Sequence, residues 1–266
     1  MSKYEWQKTH VIYYKDELND DFNELENVSR PQVKSSYKYL HTNPFRRLLD
    51  GFLYYVIAKP ILGVYCLFHG IRWKGKKNLK LLKHSGAFLY GNHVAITDAF
   101  KFQSFIIHLK KVNIIGYSDA SSIPVARSLV KAFGYLPIPY DRENMIKLKD
   151  AAETLTKKRK QYVLIYPEAH IWPYYTKIRP FKSVSFHYPA EANVPVVPFV
   201  TTWRKSRFSK KPRQLVIFGR PIYPDETKTV SENKQYLRDR CYEEMVKMSQ
   251  EYPQVEYIKY IKSEEK

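Results

Sequence analysis

A chain of 266 residues with 45 Lys and Arg against 26 Asp and Glu carries a formal charge of +19. That length supports one large domain, and a 44% hydrophobic share supports an ordinary core. Two cysteines, Cys66 and Cys241, exclude a disulfide framework, and no Cys/His cluster has the spacing of structural zinc, so a reducing compartment is expected. Charge is uneven: residues 1–30 sum to −3, leaving +22 on the remainder. Such a field draws polyanions, either nucleic acid or an anionic bilayer surface. The 23 Tyr and four Trp lean toward the bilayer, because those rings set an apolar body and a polar tip across the headgroup layer.

In chain order, residues 1–43 read as a polar N-terminal extension, with no signal peptide at its start. Residues 44–71 hold the most apolar long stretch. Asp50, Lys59, Pro60 and His69 interrupt it, and Pro60 is expected to split it into two short helices at a membrane interface. Residues 72–266 then alternate strand and helix. Strands are expected at 87–91, 112–116, 162–166, 194–203 and 214–219, with a short extended piece at 135–139. Helices are expected at 98–111, at 122–133, from a cap at Asn144 to about Lys160, and at 231–250. This alternation implies an α/β fold, a single domain with a mostly parallel central sheet flanked by helices.

The first segment bearing chemistry is Asn92-His93-Val94-Ala95-Ile96-Thr97-Asp98, directly after the first strand of that alternation. In open α/β sheets, ligands bind at the carboxyl ends of strands. A spacing of five residues would put His93 and Asp98 roughly 140° apart on one helix, so they meet only if His93 lies in the turn and Asp98 near the next helix start. The carboxylate then fixes one imidazole nitrogen and leaves the other as a general base for a hydroxyl proton. A helix-capping Asp beside an incidental His is the plain alternative.

Three further segments follow in order. They are Gly134-Tyr-Leu-Pro-Ile-Pro-Tyr-Asp-Arg142, Tyr166-Pro167-Glu168, and Val194-Pro195-Val196-Val197-Pro198, with Pro180-Phe181-Lys182 between the last two. Together with Asn92–Asp98 this series resembles the glycerophospholipid (1-acylglycerol-3-phosphate) acyltransferase family over about residues 70–220. The resemblance implies His93 and Asp98 as the catalytic pair. It also implies Arg142 on the acceptor's phosphate, with Asn92, Glu168 and Lys182 at the acceptor site. After Glu168 the family has Gly-Thr-Arg, whereas this chain has Ala169-His170-Ile171, and Arg179 is the candidate replacement for the missing charge.

The expected activity is transfer of an acyl chain to the hydroxyl of a lysophosphatidic acid. Acyl-CoA or acyl-carrier protein is the co-substrate, and no metal or other cofactor is implied. The expected setting is a peripheral or monotopic membrane protein on the cytoplasmic face, with membrane lipids and an anionic bilayer as partners and no nucleic acid. Two readings stand beside it: an acyltransferase for another lysophospholipid or an amino-acid lipid, and a basic nucleic-acid-binding protein. The latter needs basic and aromatic residues grouped on one face. The seven bases of residues 203–220 gather near a turn instead. No G-x-S-x-G, Walker or G-x-G-x-x-G segment supports hydrolase, P-loop or dinucleotide chemistry.

Overall fold

The computed structural model describes residues 6–22, 33–34, 36–104, 110–117, 130–207 and 209–263. Its centre is a seven-stranded sheet in the order β2-β8-β7-β3-β6-β4-β5. These strands are β2 (Arg72–Lys74), β3 (Ala87–Gly91), β4 (Val112–Gly116), β5 (Tyr135–Pro137), β6 (Tyr162–Ile165), β7 (Val196–Arg204) and β8 (Arg213–Phe218). Every pairing is parallel except the β7–β8 hairpin. The central strands are buried on both faces, which is why β3 and β6 read as unbroken apolar runs.

Alternation along β3 divides the core into two layers. Phe88 and Tyr90 face a layer that includes Leu148, Ala152, Leu237, Cys241 and Met245. These come from helix α2 (Arg142–Glu153) and helix α4 (Val230–Gln250), with the short α3 (His187–Ala192) beside them. Ala87 and Leu89 face the other layer, which holds Cys66, Leu79, Leu82 and Phe102. The amide of Asn144 is capped by Asp141, so the cap of α2 lies three residues before the one expected from sequence. A capping box between Thr229 and Glu232 opens α4.

The expected pair of interfacial helices is instead one helical run, α1 (Pro44–Phe68), 25 residues long. Pro60 does not break it. The segment Leu53–Ala58 just before the proline widens into a π turn, with the Lys59 amide bonded to the Tyr54 carbonyl five residues back. That turn absorbs the missing proline N–H and its ring clash. The run is apolar and long enough to cross a membrane, and only 22% of its most apolar window is buried. Tyr54, Ala58 and Cys66 face the body, while Phe52, Val56, Ile61, Val64 and Leu67 are exposed.

One other expected helix takes a different form where it is described, and a second lies largely outside the described residues. The amphipathic helix over 98–111 appears as 3₁₀ turns at Ile96–Ala99 and Lys101–Ser104, and residues 105–109 lie outside the described residues. The helix expected at 122–133 falls largely on residues 118–129, also outside them. The N-terminal extension, by contrast, is docked where it is described. Its strand β1 (Val11–Tyr14) pairs in parallel with β9 (Lys259–Lys262) near the chain's other end.

Candidate active site

At the end of β3 the chain passes beneath the Phe199 ring of β7. A Cβ on Gly91 would lie 2.2 Å from that ring, so the turn into the site requires glycine. Asn92 follows and is buried. Its Nδ2 donates to the Thr201 carbonyl at 3.0 Å and its Oδ1 accepts from the Thr201 amide at 2.8 Å. The side-chain amide therefore supplies one more rung between β3 and β7 and fixes where His93 emerges.

The 3₁₀ turn at Ile96–Ala99 returns Asp98 to His93. Asp98 is fully buried, and its Oδ2 accepts from His93 Nδ1 at 3.1 Å, from the Val94 amide at 2.8 Å and from the Ala95 amide at 2.9 Å. A carboxylate only accepts, so Nδ1 carries the proton and Nε2 is left as the basic nitrogen. The imidazole lies against the Tyr166 ring, with centroids 4.3 Å apart and planes 11° from parallel. Tyr166 in turn donates its hydroxyl to the Asp98 carbonyl at 2.9 Å.

The second oxygen of Asp98 accepts from Lys101, which is also fully buried. Burial alone would raise the Asp98 carboxyl. The Lys101 charge and the His93 bond outweigh it and hold Asp98 below its usual value. Burial lowers Lys101 from the usual ammonium range, with Asp98 opposing.

Glu168 holds the same turn from the other side. Its Oε2 accepts from the His93 amide at 3.1 Å and its Oε1 from the Arg179 amide at 3.0 Å. Burial raises its carboxyl above the usual value, against the pull of the nearby Arg179 charge. Arg179 is 1% exposed. Its guanidinium meets Glu168 Oε2 at 3.3 Å, the Glu17 carbonyl at 3.0 Å and the His170 carbonyl, and its face covers the Trp172 ring. Its charge is thus spent on the loop 168–179. Between them Ala169 adopts φ +63°, the left-handed conformation in which a glycine would be at ease.

The N-terminal strap completes this wall. Trp172 Nε1 donates to the Asp20 carbonyl at 2.7 Å, and His170 Nδ1 sits 3.2 Å from the Asp21 carboxylate. Tyr14, Phe22 and Tyr260 gather around the Trp172 ring. Leu18 and Asn19 reach the cavity that these walls enclose, a groove of about 1410 Å³. His93 and Glu168 line it, as do the exposed cations Arg142 and Lys182 and an apolar set including Ile115, Tyr117, Met145, Ile146 and Val184. The imidazole of His93, exposed cations and a long apolar surface in one groove suit an amphiphile with an anionic head.

The Acyltransferase family profile matches residues 70–202, which span most of the sheet and the segments carrying His93, Asp98, Arg142, Glu168, Arg179 and Lys182. The chain belongs to the acyltransferase family. It is 23% identical over 209 residues to 1-acyl-sn-glycerol-3-phosphate acyltransferase alpha of Mus musculus, covering 70% of each chain. Its fold is similar to the crystal structure of the 1-acyl-sn-glycerophosphate (LPA) acyltransferase from Thermotoga maritima, with a TM-score of 0.50 and 14% identity. That match covers 79% of this chain and 99% of the other.

In this acyltransferase the residues singled out from sequence fall into two groups. His93, Glu168, Arg142 and Lys182 line the groove. Asp98, Asn92 and Arg179 are buried around it and act on its lining residues. Lys101, Tyr166 as a stacking partner, and the strap residues Leu18, Asn19 and Asp21 were not singled out. Lys101 did leave a trace: a lysine inside the run Ala-Phe-Lys-Phe, three residues past Asp98, is a poor fit for an apolar core unless its charge is matched.

Proposed function

We propose that this acyltransferase moves a fatty acyl chain from acyl-CoA or acyl-carrier protein to the free hydroxyl of a lysophosphatidic acid, at the cytoplasmic face of a membrane. The observation that carries the reading is His93 in the groove wall, its Nδ1 held by buried Asp98 and its Nε2 basic. Nε2 takes the proton of the acceptor hydroxyl as that oxygen attacks the thioester carbonyl carbon. The tetrahedral intermediate collapses by breaking the C–S bond. The thiolate leaves and takes the proton back from His93, so no covalent acyl-enzyme is needed.

Arg142 and Lys182 receive the acceptor's phosphate, since both are exposed cations on the same groove as His93. The apolar lining takes the acyl chains. Glu168 and Asn92 serve by holding the His93 turn, and Arg179 by holding Glu168. Purified protein incubated with vesicles containing labelled lysophosphatidic acid and each thioester donor should yield labelled phosphatidic acid. Acylation of a different lysolipid, with lysophosphatidic acid untouched, would replace the acceptor. Absence of acyl transfer to every lysolipid tried would remove the reading.

A further inference from the structure

Beneath the catalytic pair lies a third charged group that the reaction outlined above does not use. Lys101 is 0% exposed, and its ammonium has three protons to place. One goes to Asp98 Oδ1, one to Thr201 Oγ1 at 2.8 Å and one to Gln214 Oε1 at 3.1 Å. Gln214 Nε2 then donates to Thr97 Oγ1 at 2.8 Å, which closes the network onto the turn that carries Asp98. The carboxylate is thereby divided. Oδ2 orients His93 and stitches the turn amides, while Oδ1 is met by a full positive charge.

That division has an electrostatic consequence. A lone buried carboxylate beside an imidazole does two things: it holds the ring, and it stabilises the ring's protonated form. A general base needs the first throughout and the second only during turnover. A cation on the carboxylate's far oxygen keeps the orientation and offsets the field. Among the described residues few other charges face this cluster. Around His93 are Asp98, the carboxylate of Glu168, which is itself met by Arg179, and the neutral face of Tyr166. Around Lys101 are Asp98 and the Cys66 thiol of α1, whose Sγ lies beside the Lys101 carbonyl and the Ser104 hydroxyl. Thr201 and Gln214 are neutral.

We propose that Lys101 is a positioning residue of this acyltransferase: it neutralises the outer oxygen of Asp98, so that His93 is oriented without being held protonated. The proposal rests on His93 as the general base, but the network can be tested without turnover. Lys101→Gln keeps a donor for Asp98 and removes the charge, and Lys101→Met removes both. Thr201→Val loosens Lys101 while keeping its charge.

The test is the NMR titration of the His93 ring, assigned by its loss in His93→Gln, alongside the pH profile of kcat/KM. In Lys101→Gln the ring should titrate roughly one pH unit higher than in the wild type, with the acid limb of the profile moving the same way. Well below the midpoint, that shift makes kcat/KM about tenfold lower. Lys101→Met should match Lys101→Gln, and Thr201→Val should titrate with the wild type. A ring titration unchanged in Lys101→Gln, or shifted equally in Thr201→Val, would overturn the proposal by showing that Lys101 serves geometry alone. A shifted ring titration in a protein without acyl transfer would leave this proposal standing and remove the proposed reaction instead.

Discussion

At the scale of single residues, the site separates chemistry from support. His93→Ala removes the only basic nitrogen placed by Asp98, so turnover should fall by roughly two to four orders of magnitude with circular dichroism unchanged. Asp98→Asn should do more than lose activity. It leaves the buried Lys101 ammonium without its counter-charge, a loss of about 3–5 kcal/mol that thermal unfolding would reveal. A stable Asp98→Asn variant would mean that Lys101 is not charged there. Arg142 and Arg179 make a matched pair of tests. Arg142→Ala, at an exposed position on the groove, should raise the acceptor's KM and leave the donor's KM and the melting temperature near wild type. Arg179→Ala should lower the melting temperature, because it strips the buried Glu168 of its partner. An Arg179→Ala variant changed only in acceptor KM would reassign that residue to the phosphate. Ala169 adds a quieter case: at φ +63° the methyl is strained, so Ala169→Gly should stabilise by about 0.5–1 kcal/mol. A lower melting temperature for Ala169→Gly would contradict the strain.

At the scale of elements, strands were far more legible than helices. Val163, Leu164 and Ile165 or Val196 and Val197 can hardly be anything but a doubly covered strand, and the register of β3 with β6 and β7 follows from packing those runs. The segment after Asp98 misled for a physical reason: Phe102, Phe105, Ile106 and Leu109 have helical spacing, but Asp98 spends its oxygen on the Val94 and Ala95 amides. The described part of the segment is accordingly tightened into 3₁₀ turns. The strap escaped because its contacts are long-range. Nothing within residues 6–22 announces that Glu17 and Asp20 carbonyls will meet Arg179 and Trp172 some 150–160 residues later. Pro60 misled in the opposite direction, since the π turn that accommodates it has no composition of its own. The continuity of α1 has a measurable result. Its exposed face runs from Phe45 through Phe52, Val56, Ile61 and Val64 to Phe68 without a break. Asp substitutions at Val56 and Ile61 should each release protein from vesicles into the supernatant, whereas Tyr54, buried against the amide of Val112, should instead report on folding. Retention of both Asp variants on vesicles would show that this face does not contact lipid.

At the scale of the whole molecule, charge and α1 converge on one edge. Residues 69–97 and 194–224 hold six and seven bases and no acid, and they are the two segments that pair as β2 and β8. The end of α1 is fastened to that edge. Arg204 Nη2 donates to the Gly70 carbonyl at 2.6 Å, and the Arg213 side chain fills the space where a Gly70 Cβ would sit. A helix with an apolar exposed face thus ends at an edge whose two strand-bearing segments hold bases and no acid, while Asp20 and Asp21 lie on the strap beside residues 168–179. On an anionic bilayer each base near the headgroups contributes about 1 kcal/mol, an attraction that salt screens within a Debye length of about 10 Å. Burial of α1 side chains is indifferent to salt. The two contributions can therefore be separated in one sedimentation series. Wild-type protein should pellet more fully with anionic than with neutral vesicles at low salt, and the difference should vanish at high salt while a residual apolar fraction remains bound. Replacing Lys205, Lys210 and Lys211 by Glu should abolish the anionic preference and leave that residual fraction unchanged, because all three side chains are exposed and lie outside α1. If the triple variant still prefers anionic vesicles, the basic edge faces away from the bilayer, and α1 alone sets how this acyltransferase meets its lipid.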